Sequence, residues 1–507
     1  MALNSDSRVK NASRNAFSAI LNKFCILLLT FIGRKFFIQY IGVEYLGING
    51  LFSNILMLLS MADLGLGTAM NVSLYKPIAS GDEKKLCALI NYFRKIYLII
   101  AAAVTIIGVS LIPFLDYIVN LDSDIPHLKL YYLVFVLKNT VSYLFVYKAS
   151  MISADQKNYV INRIDVGINI FKVIGQIMVV LVFKNYLIYI LVELFSVVAH
   201  NIFVSIIADR LYPFLKQSYT LSKSEKKSIF SDVYSAFLYK LSGSLLTGTD
   251  NILISVIVGT IAVGLYSNYF TVINNLEMIV MLIFTSLTAS VGNLVATANS
   301  DRRYKIYSVM QMVANWLGAV FAVALFFLLQ PFIVLWIGHD MLMDQIVLWA
   351  IVIRVYYSVC MRPVWTFREG TGMYRQIRYV MVATTLVNFI LSIILGKLYG
   401  VGGILLATTI SRFVTCYWVE PKLLFETFFD VKVINYHKDY ALNIAITVFS
   451  GFLCSIVIRY LNMDDFLTWI MAGAICCLIV SIIYYLRYCR SDEFQEILQK
   501  IKGILKK

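Results

Sequence analysis

Residues 18–30 read SAILNKFCILLLT and residues 235–247 read SAFLYKLSGSLLT, and seven of the thirteen positions match. The match includes Lys23 and Lys240, which are 217 positions apart (240 − 23). The two segments also share Thr30 with Thr247, and at the same offset IGVEYLGI and VGTIAVGL pair Gly42 with Gly259 and Gly47 with Gly264. The sequence therefore predicts two copies of one unit in which matching apolar segments carry matching lysines.

The composition is typical of a protein embedded in a membrane. Of the 507 residues, 60% are hydrophobic and 14% are charged, whereas soluble domains carry about 25% charged residues. Apolar runs of about 20 residues recur along the chain, and each is long enough to cross the ~30 Å hydrocarbon core as a helix. Because lipid offers no hydrogen-bond partners to an open backbone, we expect these runs to be α-helical.

The apolar runs predict fourteen membrane-spanning helices. Their approximate limits are 15–40, 46–75, 93–116, 127–150, 160–183, 186–209, 233–257, 260–290, 306–330, 342–366, 377–398, 401–424, 439–460 and 466–488. With the N-terminus in the cytoplasm, 32 of the 44 lysines and arginines fall in cytoplasmic segments, as the positive-inside rule requires. We therefore expect a multi-pass membrane protein with both termini cytoplasmic. Topology and attraction to anionic lipids explain the net charge of +15, and no nucleic-acid partner is expected.

The expected fold is an all-α polytopic bundle of two six-helix lobes plus two C-terminal helices. An even number of helices in each copy makes the repeats parallel, so the lobes would be related by a pseudo-two-fold axis along the membrane normal, with a substrate site between them. The predicted segments are an N-terminal lobe (1–212), a cytoplasmic linker (213–232), a C-terminal lobe (233–426), helices 13 and 14 (437–488) and an amphipathic cytoplasmic tail (491–507).

Eight basic residues lie inside the predicted spans: Lys23, Arg34, Lys35, Lys138, Lys172, Lys240, Arg354 and Arg412. A charge at the bilayer centre costs ~2.5–3.5 kcal/mol, so these side chains must snorkel, pair or line a wet cavity. Helical spacing places Lys23, Thr30 and Arg34 on one face, and Lys240, Ser244, Thr247 and Asn251 on the equivalent face of the other copy. We expect a central cationic cavity with Lys23, Arg34, Lys138, Lys172, Lys240, Asn251, Asn274, Asn275, Arg354 and Arg412 as the substrate-binding candidates.

Acidic residues and cofactor motifs are sparse. In ADLGLG, the glycines Gly65 and Gly67 suggest a hinge, and Asp63 would either cap the next segment or pair with a cation of the cavity. The eight cysteines and four histidines show no metal-ligand spacing, and the chain lacks a phosphate-binding P-loop. We expect no metal and no cofactor, with proton or sodium coupling left open.

The segments YLGINGL, ADLGLGTA and YGVGGILLATTISR, together with the fourteen-helix pattern, resemble the polysaccharide-transporter branch of the multidrug/oligosaccharidyl-lipid/polysaccharide exporter superfamily. This branch includes Wzx-type flippases of O-antigen and capsule repeat units. The resemblance implies a bacterial inner-membrane location, alternating access without enzymatic activity, and an undecaprenyl-pyrophosphate-linked oligosaccharide as substrate. A polysaccharide polymerase and a chain-length regulator would be possible partners, beside the membrane lipids themselves.

Competing interpretations make different demands on the sequence. A lipid II flippase is the alternative within the same superfamily. A multidrug exporter of cations on the same fold should place acids rather than lysines in the cavity. A membrane scaffold has no need of inward polar stripes, and a glycosyltransferase or ligase usually needs larger outer loops or carboxylate clusters.

Replacing Lys23 or Lys240 with Ala or Gln should abolish or strongly reduce export while membrane abundance stays nearly normal. Complementation of a flippase-deficient strain, with abundance measured alongside, tests this expectation. Full export by both variants would contradict the cationic cavity. Loss of the protein itself would indicate a lysine that neutralises a buried acid, since breaking such a pair costs ~3–5 kcal/mol.

Overall fold

The computed structural model describes residues 26–60, 70, 73–74, 77–78, 80–120, 125–155, 157–217, 219–223, 225–226, 248–496 and 498. Every regular element in these ranges is helical, which confirms the expected fold class. The chain divides into two compact units, Met1–Gly264 and Leu265–Lys507. The domain limits expected from the sequence stay predictions, because parts of the linker (227–232) and of the following helix (233–247) lie outside the described residues.

The helices of the first unit are numbered here in chain order. They are α1 (26–40), α2 (Val43–Leu59), α3 (Glu83–Ser110), α4 (Leu128–Tyr143), α5 (Val146–Ala154), α6 (Asn158–Val182), α7 (Tyr186–Leu211) and α8 (Asp250–Ile257), with α9 (Thr260–Thr297) beginning in this unit and continuing into the second.

The second unit continues with α10 (Ser300–Ile337), α11 (Gln345–Cys360), α12 (Arg362–Thr371), α13 (Tyr374–Val414), α14 (Cys416–Phe428), α15 (Ile434–Ile458) and α16 (Phe466–Tyr488). Helix α13 contains a break at Gly400, where φ is +59°. The break matches the expected boundary between the eleventh and twelfth spans. The twelfth span itself, expected to be continuous over 401–424, is interrupted at Thr415.

The helix starts repeat with the offset seen in the sequence. Val43 and Thr260, Glu83 and Ser300, and Leu128 and Gln345 each begin matched helices 217 positions apart (260 − 43, 300 − 83 and 345 − 128). The offset was found in two short segments, yet it holds over three helix pairs whose sequences show little identity. The duplication therefore extends well beyond the segments that first revealed it.

The repeat also includes a bend that the sequence did not reveal. Helices α4 and α5 meet at 43°, and so do α11 and α12, whereas each pair was expected to form one straight span. The first bend follows Tyr143 and the second follows Cys360, again 217 positions apart (360 − 143). Pro363, in the first turn of α12, accounts for the second bend because proline cannot donate the helical hydrogen bond.

Two glycine pairs of the repeat fix the start of α2 and α9. Gly42 and Gly259 precede these helices with φ of +109° and +134°, a conformation that favours glycine. Gly47 and Gly264 let the helices touch. A Cβ on Gly47 would overlap the Thr260 carbonyl, and a Cβ on Gly264 would lie 2.8 Å from the Gly47 nitrogen. Residues matched by the repeat thus face one another within the first unit.

The described residues include eight helices long and apolar enough to span a membrane, or ten if each bent pair is one span. Large apolar side chains lie exposed along them, as shown by Phe171 (77%), Leu386 (61%) and Phe452 (61%). Such surfaces suit contact with lipid rather than water. The structure therefore describes a multi-pass membrane protein, while the count of fourteen spans stays a prediction.

Within the second unit, a polar network joins the last two helices, α15 and α16, to α10. Asn315 of α10 donates to Oδ2 of Asp439 at 3.3 Å, and Arg487 of α16 donates to Oδ1 of the same carboxylate at 2.5 Å. Asn443 donates to Asp439 Oδ2 at 3.1 Å. Because each partner comes from a different helix or turn, the carboxylate of Asp439 joins α10, α15 and α16.

Ion pairs attach the linker and the C-terminal tail to neighbouring helices. Glu225 of the linker is bound by Lys85 and by Ser222, and these hydrogen bonds lower the pKa of the Glu225 carboxyl to about 2. In the tail, Glu496 lies 3.0 Å from Arg302 and 3.3 Å from Lys305. Most of the predicted amphipathic tail, beyond residue 496, lies outside the described residues.

The close approach of α2 and α9 yields a prediction. Gly47→Ala should destabilise the protein by about 1–3 kcal/mol, because the added methyl group meets backbone atoms that cannot move aside cheaply. Gly167→Ala in α6 is the matched control, since a Cβ there meets open space. Thermal unfolding followed by size-exclusion chromatography should show a lower midpoint for the first variant than for the second. Equal midpoints would contradict the close packing.

Candidate functional site

The first unit brings predicted cations together around one carboxylate. Lys138 of α4 and Glu193 of α7 form an ion pair with 3.1 Å between Nζ and Oε1, and their side chains are 20% and 26% exposed. The Lys138 ammonium also lies 4.3 Å from the Phe135 ring centroid. Both residues lie in apolar helices, where an unpaired charge is costly, so each side chain neutralises the other.

A second predicted cation acts on the same carboxylate, and a third lies near Tyr189 on the same helix. Lys172 of α6 lines the groove that Glu193 also lines, and its charge acts on that carboxylate. Arg34 of α1 interacts electrostatically with Tyr189, one helical turn before Glu193 on α7. Two of the substrate-binding candidates, Lys138 and Lys172, therefore act on one acid, and Arg34 lies one turn away. Lys35, next to Arg34, is instead exposed.

The groove between α6 and α7 is polar and holds about 350 Å³. The connection between these helices is three residues (183–185), so they run antiparallel. Polar side chains follow each other along α6 at positions 165, 169 and 172 and along α7 at positions 193, 196 and 200. His200 Nε2 lies 2.8 Å from Oδ1 of Asp165. The cation of Lys172 thus lies toward Glu193, and the carboxylate of Asp165 toward His200.

The second unit holds an arginine cluster. Arg354 of α11 lies 3.8 Å from Oε2 of Glu277 on α9, and its Nη1 donates to the hydroxyl of Tyr266 at 3.3 Å. Arg354 precedes the α11–α12 bend by one and a half turns, and Lys138 similarly precedes the α4–α5 bend. The two units therefore place a cation at nearly matching positions of the repeat.

Trp365 of α12 brings two more arginines into this cluster. The guanidinium carbon of Arg362 lies 5.1 Å from its ring centroid and that of Arg412 lies 5.9 Å away. The stacking of Arg362 on Trp365 places it beside Arg412. The Glu420 carboxylate binds Arg368 at 2.9 Å.

The other candidates are placed separately or lie outside the described residues. Asn251 is half-buried on α8, Asn274 is exposed on α9, and Asn275 donates to Thr271 of its own helix at 2.7 Å. Lys23, Lys240, Asp63, Gly65 and Gly67 belong to the segments that the structure does not describe, so their roles stay predictions.

Three tyrosines of the apolar helices, Tyr143, Tyr147 and Tyr269, are buried. Tyr143 and Tyr147 belong to an apolar cluster between the helices of the first unit. The Tyr269 hydroxyl accepts a hydrogen bond from the Met343 backbone at 3.0 Å. These rings contribute to packing, and Trp365 is the aromatic residue that accompanies the charged cluster.

Sequence reasoning missed Glu193 and His200. The signal was available, because both are ionisable, both lie in an apolar helix, and they are seven residues apart on one face. No group of three or more potential metal ligands from His, Cys, Asp and Glu occurs among the described residues. A separate groove of about 500 Å³ in the second unit is lined almost entirely by apolar side chains, including Trp349, Ile353 and Phe413.

Comparison with known proteins identifies the fold. No family model matches the chain, and no curated protein matches it by sequence. Among solved structures, the inward closed conformation of the lipid II flippase MurJ matches with a TM-score of 0.69 and 18% identity, covering 94% of this chain and 99% of that one. An inward-facing MATE transporter of the MOP superfamily gives 0.60 and 14%, covering 78% and 93%.

A third solved structure, a variant of the Vibrio cholerae MATE transporter VcmN, matches with a TM-score of 0.57 and 15% identity, covering 83% of this chain and 98% of that one. At these identities the likeness concerns the fold. The chain therefore has the fold of the MurJ and MATE transporters, which is the architecture expected from its repeat.

Proposed function

We propose that this protein is a flippase that moves a polyprenyl-pyrophosphate-linked oligosaccharide from the cytoplasmic to the outer leaflet by alternating access, for surface polysaccharide synthesis. The observation that carries the proposal is the surplus of positive charge inside apolar helices. In the first unit, Lys138 and Lys172 lie beside the carboxylates of Glu193 and Asp165, and Arg34 lies near Tyr189, one helical turn from Glu193. In the second, the cluster of Arg354, Arg362 and Arg412 lies near the carboxylates of Glu277 and Glu369.

A pyrophosphate group suits such a surplus. Arginine offers paired N–H donors to phosphate oxygens, and lysine offers a compact positive charge. A protein that only needed to satisfy its own charges would match each cation with an acid, because an unpaired ion inside a membrane is costly. The surplus therefore supports an anionic ligand rather than a structural role.

The direction of transport follows from the electrical potential. An inside-negative membrane favours outward movement of an anion by ~2.3 kcal/mol per charge per 100 mV. The polyisoprenoid tail of the substrate can remain in lipid while its headgroup crosses among the cations. The chain then acts as a transporter without enzymatic chemistry, and a polymerase and a chain-length regulator would use the product at the outer surface.

Two alternatives share the fold. Lipid II flipping is favoured by the likeness to MurJ, which covers 94% of this chain, and lipid II also carries a polyprenyl pyrophosphate. Export of organic cations is suggested by the MATE structures. The excess of cations disfavours the second alternative, since like charges would repel in the site.

Reconstituted vesicles distinguish these functions and test the role of Lys138. Lys138→Gln should remove flipping, but it also leaves Glu193 less compensated. The double variant K138Q/E193Q removes both charges, so it should fold normally and still fail. We expect headgroup transfer to fall about tenfold to a hundredfold, the effect of losing one charge-assisted hydrogen bond of ~1.5–3 kcal/mol.

The assay compares an undecaprenyl-pyrophosphate-linked oligosaccharide, lipid II and a lipophilic organic cation, and it uses Lys35→Gln as the control for loss of an exposed cation. Transfer of the oligosaccharide lipid by wild type and Lys35→Gln, but not by the double variant, supports the proposal. Normal transfer by K138Q/E193Q would show that Lys138 serves only Glu193. Transport of the organic cation alone would replace the proposal with drug export.

A further inference from the structure

We propose that Asp165 and His200 form a proton-binding site within the membrane-spanning part of the first unit, and that its occupancy changes the charge of the groove beside the α4–α5 bend. The coupling of this site to transport rests on the proposed function, whereas proton binding itself does not. The inference begins with the 2.8 Å separation of His200 Nε2 and Asp165 Oδ1.

The location favours proton exchange over a static ion pair. The side chains of His200 and Asp165 are 27% and 30% exposed, and both open onto the groove of about 350 Å³, which has room for several water molecules. Ionisable residues inside membrane spans usually line water-filled cavities and mark ion or proton paths. Imidazole also changes charge between about pH 5 and 8, where other unperturbed side chains do not.

The surrounding charges are balanced when His200 is neutral. The charged side chains around the groove are Asp165 and Lys172 of α6, Lys138 of α4 and Glu193 of α7. Two cations then face two carboxylates. A proton on His200 gives the groove a net charge of +1.

The remaining charges near α7 are engaged elsewhere. Lys148 of α5 lies 2.8 Å from Asp209, and it donates to Ser205 at 2.7 Å. Arg34 of α1 interacts with Tyr189, toward the opposite end of the groove from His200. The carboxylate of Asp165 is therefore the acid positioned to stabilise the imidazolium.

The neighbouring residue links this site to the bend. Asn201 donates from Nδ2 to the carbonyl of Val141 at 2.9 Å, at the last turn of α4, and its side chain also hydrogen-bonds His200. Ser142 and Val146, on either side of the bend at 144–145, line the same groove. A change of charge on His200 thus acts on the amide that holds the bend.

In the proposed step, water in the groove delivers a proton to neutral His200, whose Nε2 lies 2.8 Å from Asp165 Oδ1. Neutral His200 becomes imidazolium, and the delivering hydronium becomes water. Release on the other side of the membrane would reverse the step, so one proton is carried for each cycle of occupancy.

The first test measures proton binding directly. In the full-length protein in nanodiscs, labelled with ¹⁵N-histidine, the chain has four histidine signals, and His200→Gln identifies the signal that disappears. We expect His200 to titrate between about pH 5 and 8. Asp165→Asn should weaken its proton affinity at least about tenfold, because an opposite charge nearby stabilises the ionised form. Asp209→Asn, which removes an acid paired with Lys148, should leave the titration unchanged.

The second test measures coupling. Vesicles with equal pH on both sides are assayed for transfer of the undecaprenyl-pyrophosphate-linked oligosaccharide from pH 5.5 to 8. Wild-type transfer should follow the His200 titration, and His200→Gln should give a flat profile. Absence of transfer at every pH would count against the proposed function while leaving the NMR result intact. A His200 titration unaffected by Asp165→Asn would overturn the site, and a pH profile unchanged in His200→Gln would overturn its coupling.

Discussion

An ion inside a membrane needs a partner, and this constraint organises the polar interior of the protein. The ion pairs are Lys138 with Glu193, Arg354 with Glu277, and Arg368 with Glu420. The cost of an isolated charge, ~2.5–3.5 kcal/mol at the bilayer centre, is large enough to select these pairs. Where cations exceed the acids beside them an anionic ligand would be stabilised, and the cluster of Arg354, Arg362 and Arg412 is the candidate among the described residues.

The internal duplication places these charges on equivalent bent helices. In each unit a cation precedes the bend by about one to two turns, so a change of bend angle would move the charge relative to its neighbours. The bends therefore offer a physical route from ligand or proton binding to a change of conformation. The groove beside the first bend adds a titratable group, His200, to the same structural element.

Much of the architecture could be predicted from the sequence because hydropathy and the offset of 217 are properties of the chain alone. The positions of Lys138 and Lys172 near one acid could not, since spacing on one helix does not say which face of the next helix it meets. The α4–α5 bend lacked a proline signal, whereas Pro363 marked the second bend. His200 was missed because a single histidine in an apolar helix does not by itself indicate a site. The structure makes it informative by placing Asp165 opposite it.

Native mass spectrometry of the detergent-solubilised protein tests most directly whether the charge surplus binds an anionic headgroup. Binding would be compared for undecaprenyl pyrophosphate, undecaprenyl phosphate and undecaprenol, which share a tail and differ in charge. The account predicts affinity that rises with headgroup charge, and a loss of that order when Arg354 and Arg412 are both replaced by Gln. Equal binding of the three lipids, or an unchanged order in the double variant, would contradict it.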